Sequence, residues 1–153
     1  MSSDGSGEME DKFIVAVSLV IENGGKVLIA RRNKNKDHAP GEWEAISGRL
    51  RARESPMEGA RREALEETGL QVEVVCLVDA FHFERGPMRD DAIGITYHCR
   101  APGDHVRLSE EHDAFAWVDE REVRNYNLPE GLLGAILQVL RSSQPEYPMG
   151  QFL

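Results

Sequence analysis

Phe13 to Ile21 is an almost unbroken apolar run rich in β-branched residues, and Val27 to Ala30 is a second. Between them stands Glu22-Asn23-Gly24-Gly25, a composition that favours a tight hairpin turn. Residues 33–41 are polar and contain Pro40, the pattern of a loop, and Trp43 to Ile46 predicts a short strand leading into Ser47-Gly48. The plainest helix start is Ser55-Pro56-Met57-Glu58: Ser55 as N-cap, Pro56 at the first helical position, Glu58 completing a capping box. That helix is expected to run to about Thr68 and stop at Gly69. Val72 to Val78, Ala92 to Arg100 and Phe115 to Val118 predict further strands, with a break around Arg85-Gly86-Pro87. Pro129 to Leu140 spaces its apolar residues for a second helix. The order implies an α/β (α+β) chain, a mixed β-sheet with helices packed against it.

The 153 residues suit one domain with a core of its own. No repeat or separating linker divides them. The domain is expected over 12–141, between a Ser/Gly/acid-rich N-terminal tail at 1–11 and a C-terminal tail at 142–153 containing Pro145 and Pro148. A formal charge of −9 repels phosphate at long range, which disfavours stable nucleic-acid binding and anionic membranes, but not a small anion held by a local cluster. No apolar run approaches a spanning helix, and the N-terminus has no apolar h-region. Cys76 and Cys99 lack paired spacing and read as reduced core residues. The default expectation is a soluble cytoplasmic protein.

On a helical wheel, Met57, Ala60, Ala64, Leu65 and Thr68 form one face, suited to packing on a sheet. Glu63, Glu66 and Glu67 form another, with Gly59 between them leaving room for a ligand. Like charges at i,i+3 and i,i+4 cost an isolated helix roughly 0.2–0.5 kcal/mol per pair. Arg62 can answer Glu66 at i+4, not all three. Glutamate clusters on helices are usually solvated faces. The preceding segment changes that reading: Gly48 opens a loop with Arg49, Arg51 and Arg53 at alternating positions, which in an extended chain share one side. Guanidiniums for phosphate oxygens and carboxylates for an oxygen-preferring Mg²⁺ or Mn²⁺ together serve phosphoryl chemistry.

From Gly48 to Leu70 the chain reads GRLRARESPMEGARREALEETGL, which resembles the Nudix box of the Nudix hydrolase superfamily (MutT-like). Gly48, Glu54, Arg62, Glu63, Glu66, Glu67, Gly69 and Leu70 match in register; Ala64 fills a slot usually held by a larger aliphatic residue. Weaker similarity covers VLIARR, GEWEAISG and AWVD. The resemblance implies the Nudix α/β/α sandwich. It also implies cleavage of a nucleoside diphosphate linked to another group, with Mg²⁺ (or Mn²⁺) as cofactor and a small nucleotide as partner. By the same resemblance Glu66 and Glu67 are the main metal ligands, Glu63 is a ligand or the general base, and the Gly48 carbonyl completes the sphere. Glu54 supports the site from the loop, and Arg62 orients the glutamates. Arg32 resembles a phosphate-contacting arginine of triphosphate-cleaving members, beside Arg49 and Arg51 of the loop. A further carboxylate is expected from Glu110, Glu111 or Asp113, with Glu111 preferred.

The departures bear on substrate. Ser47 stands where many members have glycine, and could offer a hydroxyl to phosphate. Leu132 aligns roughly with the asparagine that reads an oxidised purine in one branch, and Pro87 lies out of register with the proline of ADP-ribose hydrolases. The favoured expectation is a (d)NTP or oxidised nucleotide. The alternatives are ADP-ribose or another nucleotide sugar, a non-catalytic Nudix nucleotide-binding module, or a carboxylate face that docks a basic protein. Relatives often pair through their sheets, so a homodimer is compatible. His82, His98 and His112 show no ligand spacing and read as structural or surface residues; Trp43, Phe81, Phe83 and Tyr126 read as core or pocket wall, with base stacking as the other option.

Overall fold

A computed structural model describes residues 12–36 and 38–142. Among these residues seven strands form one mixed sheet: β1 (Ile14–Asn23), β2 (Lys26–Arg32), β3 (Trp43–Glu44), β4 (Ile46–Arg49), β5 (Glu73–Arg85), β6 (Asp90–Arg100) and β7 (His112–Val118). Their order is β3-β2-β1-β6-β5, with β4 also paired to β1 and β7 to β2. Among the described residues the helices are α1 (Pro56–Thr68) and α2 (Leu132–Ser142), with a short 3-10 turn at Glu122–Asn125 before α2. Among the described residues no helix is long and apolar enough to cross a membrane.

The continuous apolar run of β1 has a simple cause: both faces of the strand are covered. Val17, Leu19 and Ile21 pack with Ala60 and Ala64 of α1, while Val20 packs with Ile136, Val139 and Leu140 of α2. The β1–β2 turn has φ +59° at Gly24 and +81° at Gly25, which suits the two glycines found there. At β6 the chain pairs parallel to β1 from Ile14↔Ala92 to Glu22↔Arg100. Trp43 meets Tyr126 edge-to-face at 4.9 Å as part of the α2-side packing.

Several local expectations need correction. The strand expected to end at Val78 continues to Arg85, because antiparallel pairing with β6 carries a polar segment through Arg85↔Asp90. The α2 helix starts at Leu132 and runs through Ser142, one residue past the expected domain edge; residues 1–11 and 143–153, where the tails were expected, lie outside the described residues. Cys99 is buried as expected, but Cys76 is exposed because β5 is an edge strand covered along little of its length.

Candidate active site

Helix α1 begins as its sequence dictates: Ser55 Oγ accepts from the Glu58 N–H at 3.2 Å, and Gly69 closes the helix at φ +74°. Its buried side differs from the wheel. Met57 and Leu65 are exposed, whereas Gly59, Glu63 and Glu67 are buried with Ala60, Ala64 and Thr68. Contact with β4 and β1 turns the glutamate side inward. Gly48 of β4 makes this possible: a Cβ there would lie 2.1 Å from the Glu63 carboxyl carbon. Gly59 serves packing, not a ligand, because a Cβ would strike Leu50 Cδ2 at 2.2 Å.

Arg62 is the hub. Its Nε and Nη2 donate to the two oxygens of Glu54 at 2.6 and 2.8 Å, a bidentate pair. Nη1 donates to Glu63 at 2.8 Å and to Glu66 at 3.2 Å, and Nη2 also reaches the Arg49 carbonyl at 3.0 Å. One guanidinium therefore answers two of the three helix glutamates, more than the i+4 spacing alone implied. Glu54 in turn accepts from the Arg51 N–H at 3.0 Å, tying the loop to the helix. The pairing with Glu54 holds Arg62 protonated beyond its ordinary range, and Arg62 holds the Glu54 carboxyl down to about 2. Burial pushes Glu63 up, against the pull of Arg62.

Glu67 is positioned from the other side. Backbone bonds from Arg107 and Ser109 to the carbonyls of Thr68 and Glu67 dock the loop before β7 onto the end of α1. Ser109 Oγ then donates to Glu67 Oε2 at 2.8 Å, and accepts from the Glu111 N–H at 3.2 Å. His112 is buried between carboxylates, with Nε2 2.9 Å from Glu44 Oε2 and Nδ1 3.6 Å from Glu67 Oε2. Burial opposes its charge, but Glu44 and Glu67 outweigh burial and push the imidazole up to about 9. Burial would likewise raise Glu67; His112 and Ser109 outweigh it and hold the carboxyl below its ordinary range.

A cleft of about 600 Å³ gathers most of the expected residues: Glu63, Glu66 and Glu67, Arg62, Gly48, Arg32, Arg49, Arg51 and Glu111 all line it. Arg53 does not: the loop turns there, at φ +65°, so the arginines do not share one side. A bulge between β2 and β7 separates the three candidate loop carboxylates. Asp113 turns to Arg31 at 2.7 Å, Glu110 contributes its carbonyl to Asn33, and Glu111 lines the cleft, paired with Lys36. Arg32 donates to the His38 carbonyl at 2.8 Å and reaches Glu44 at 3.4 Å.

The donors suit a hard divalent cation, since they are carboxylate and carbonyl oxygens. Among the described residues no three His, Cys, Asp or Glu side chains are gathered closely enough to hold an ion as they stand. Arg62 and Arg51 engage Glu66, while His112 and Ser109 engage Glu67.

Sequence reading missed His112, Glu44 and Ser109 as members of the site. No ligand spacing surrounds His112 in the sequence, because its partners arrive from β3 and α1, 68 and 45 positions away. The only local signal was its place beside Glu111.

Fold and site together define a class: a mixed sheet between two helices, with an arginine-locked carboxylate helix facing an arginine-lined cleft. The NUDIX domain model matches residues 12–137, and the chain belongs to the Nudix hydrolase family. It is 32% identical over 141 residues to the CTP pyrophosphohydrolase of Escherichia coli (strain K12), covering 88% of this chain and 98% of that protein. It is 40% identical over 111 residues to the octanoyltransferase of Myxococcus xanthus, covering 69% of this chain but only 30% of that longer relative. Among solved structures, the MutT protein from Methanosarcina mazei Go1 superposes with a TM-score of 0.71 at 26% identity, covering 88% of this chain and 98% of that one.

Proposed function

We propose that the protein is a divalent-metal-dependent pyrophosphohydrolase that cleaves a nucleoside diphosphate linked to a further group, with a (d)NTP or an oxidised nucleotide as substrate. The observation that carries the reading is the single cleft onto which three α1 glutamates, Gly48 and the guanidiniums of Arg32, Arg49 and Arg51 all open. Glu66 and Glu67, with Glu111 and the Gly48 carbonyl, are the groups that would hold Mg²⁺ or Mn²⁺. When bound, such an ion supplies charge neutralisation at the diphosphate and a more acidic water. Arg49 and Arg51 bind phosphate oxygens and orient the anhydride. Glu63, its carboxyl raised by burial, accepts the proton of the attacking water as the water oxygen bonds to phosphorus and the bridging P–O bond breaks, leaving a nucleoside monophosphate and pyrophosphate. Arg62 keeps the carboxylates in register through both events.

The triphosphate preference is supported by Arg32, which lines both this cleft and the larger cavity beside it, and by the likeness to a CTP pyrophosphohydrolase. A panel of nucleoside triphosphates and ADP-ribose, assayed with Mg²⁺ and Mn²⁺ for phosphate and pyrophosphate, tests it. Metal-dependent pyrophosphate release from a triphosphate is expected, falling more than about 100-fold in Glu67→Gln. Turnover by Glu67→Gln at the native rate would refute the assignment.

A further inference from the structure

Beside the carboxylate cleft lies a larger cavity of about 1030 Å³, on the α2 side of the sheet. Its floor follows from strand register. Ser47 pairs with Ser18, Ser18 with Thr96, and Thr96 with Asp79, so four polar residues form one row across β4, β1, β6 and β5. All four line the cavity. The row spans three strand spacings, roughly 14 Å, from the neighbour of Gly48 to the outer strand. Ser47, at the inner end of the row, also lines the carboxylate cleft, so the two spaces meet there.

The adjacent row is built differently. Ala16 pairs with Gly94, and Gly94 with Phe81. A Cβ on Gly94 would lie 2.4 Å from Phe81 Cζ, so the ring rests directly over the β6 backbone in space that only glycine leaves. Phe81 is nevertheless 43% exposed, and Phe83 supports it with ring centroids 5.7 Å apart. A supported ring that stays open to a cavity is a stacking platform. Two residues away on the same face, Asp79 offers only acceptors when ionised. It accepts from an N–H edge and repels a carbonyl edge.

We infer that this cavity selects nucleotides whose base carries an exocyclic amino group, with Phe81 as the stacking surface and Asp79 as the specificity-determining acceptor. The inference rests on the hydrolase reading above and deepens it to a substrate class.

The test compares kcat/KM for two pairs that differ at that group, CTP against UTP and ATP against ITP, in the native protein, Asp79→Ala and Asp79→Asn. The native protein is expected to favour the amino-bearing member of each pair by about 10-fold or more. Asp79→Ala is expected to bring each ratio to within about threefold of unity through a higher KM for CTP and ATP. Asp79→Asn, which keeps the side-chain shape and adds a donor, shifts the ratios towards UTP and ITP and carries the test if the alanine variant fails to fold. Equal use of both members by the native protein, or a preference that survives both substitutions, overturns the inference while leaving the hydrolase reading intact. Absence of product from every nucleotide overturns both.

Discussion

Arg62 grips both carboxylate oxygens of Glu54, at 2.6 and 2.8 Å, and with its remaining N–H group reaches Glu63. A planar fork can do this; an ammonium cannot. Arg62→Lys is therefore expected to keep the charge but release the register of the helix glutamates, lowering kcat by about 10–100-fold. Circular dichroism would still show a folded chain. Native-like turnover in Arg62→Lys would show that the fork is dispensable. The Glu54 carboxyl, held down to about 2, contributes stability that is complete above its ordinary value near 4.5 and disappears as pH falls towards 2. Glu54→Gln is expected to remove that part of the acid dependence in a pH series of urea melts.

Gly48→Ala is a purely steric test. The added methyl would fall 2.1 Å from the Glu63 carboxyl carbon, so the side chain must leave its place. Activity is expected to fall at least about 10-fold with only a small change in melting temperature. Native-like activity in Gly48→Ala would show that Glu63 need not occupy that place.

His112 links pH to the stability of the chelator-treated protein. Its folded value is about 9 against about 6.5 for a free imidazole, so its contribution is complete below pH 6.5 and is lost as pH rises through 9. Thermal melts of the native chain and His112→Gln, taken from pH 6 to pH 10 with chelator present, are expected to converge towards the alkaline end. Curves that stay parallel would exclude a charged His112.

The two thiols should separate cleanly. Cys99 is buried and its thiol is pushed up to about 12 by that burial, while Cys76 is exposed on β5. A thiol reagent at pH 8 is expected to modify Cys76 within minutes and Cys99 only after denaturant is added. Rapid modification of both would mean that β6 opens readily in the folded protein.

Much of this protein was legible along the chain because the signals are short-range. A hydroxyl at Ser55, a proline at Pro56 and a glycine at Gly69 set the limits of α1 through bonds within a few residues. The glycine pair at Gly24-Gly25 set the first hairpin, and the helix spacing brought Glu63, Glu66 and Glu67 to one side. What tertiary structure alone decided is which distant groups meet them. Parallel pairing of β1 with β6 aligned Ser18 with Thr96 and Asp79; a bulge on β7 turned Asp113 to Arg31 and left His112 between Glu44 and Glu67. Gly59 and Leu65 changed sides for the same reason. A wheel knows the angle between residues but not where the sheet lies, and strand register depends on the burial of whole faces.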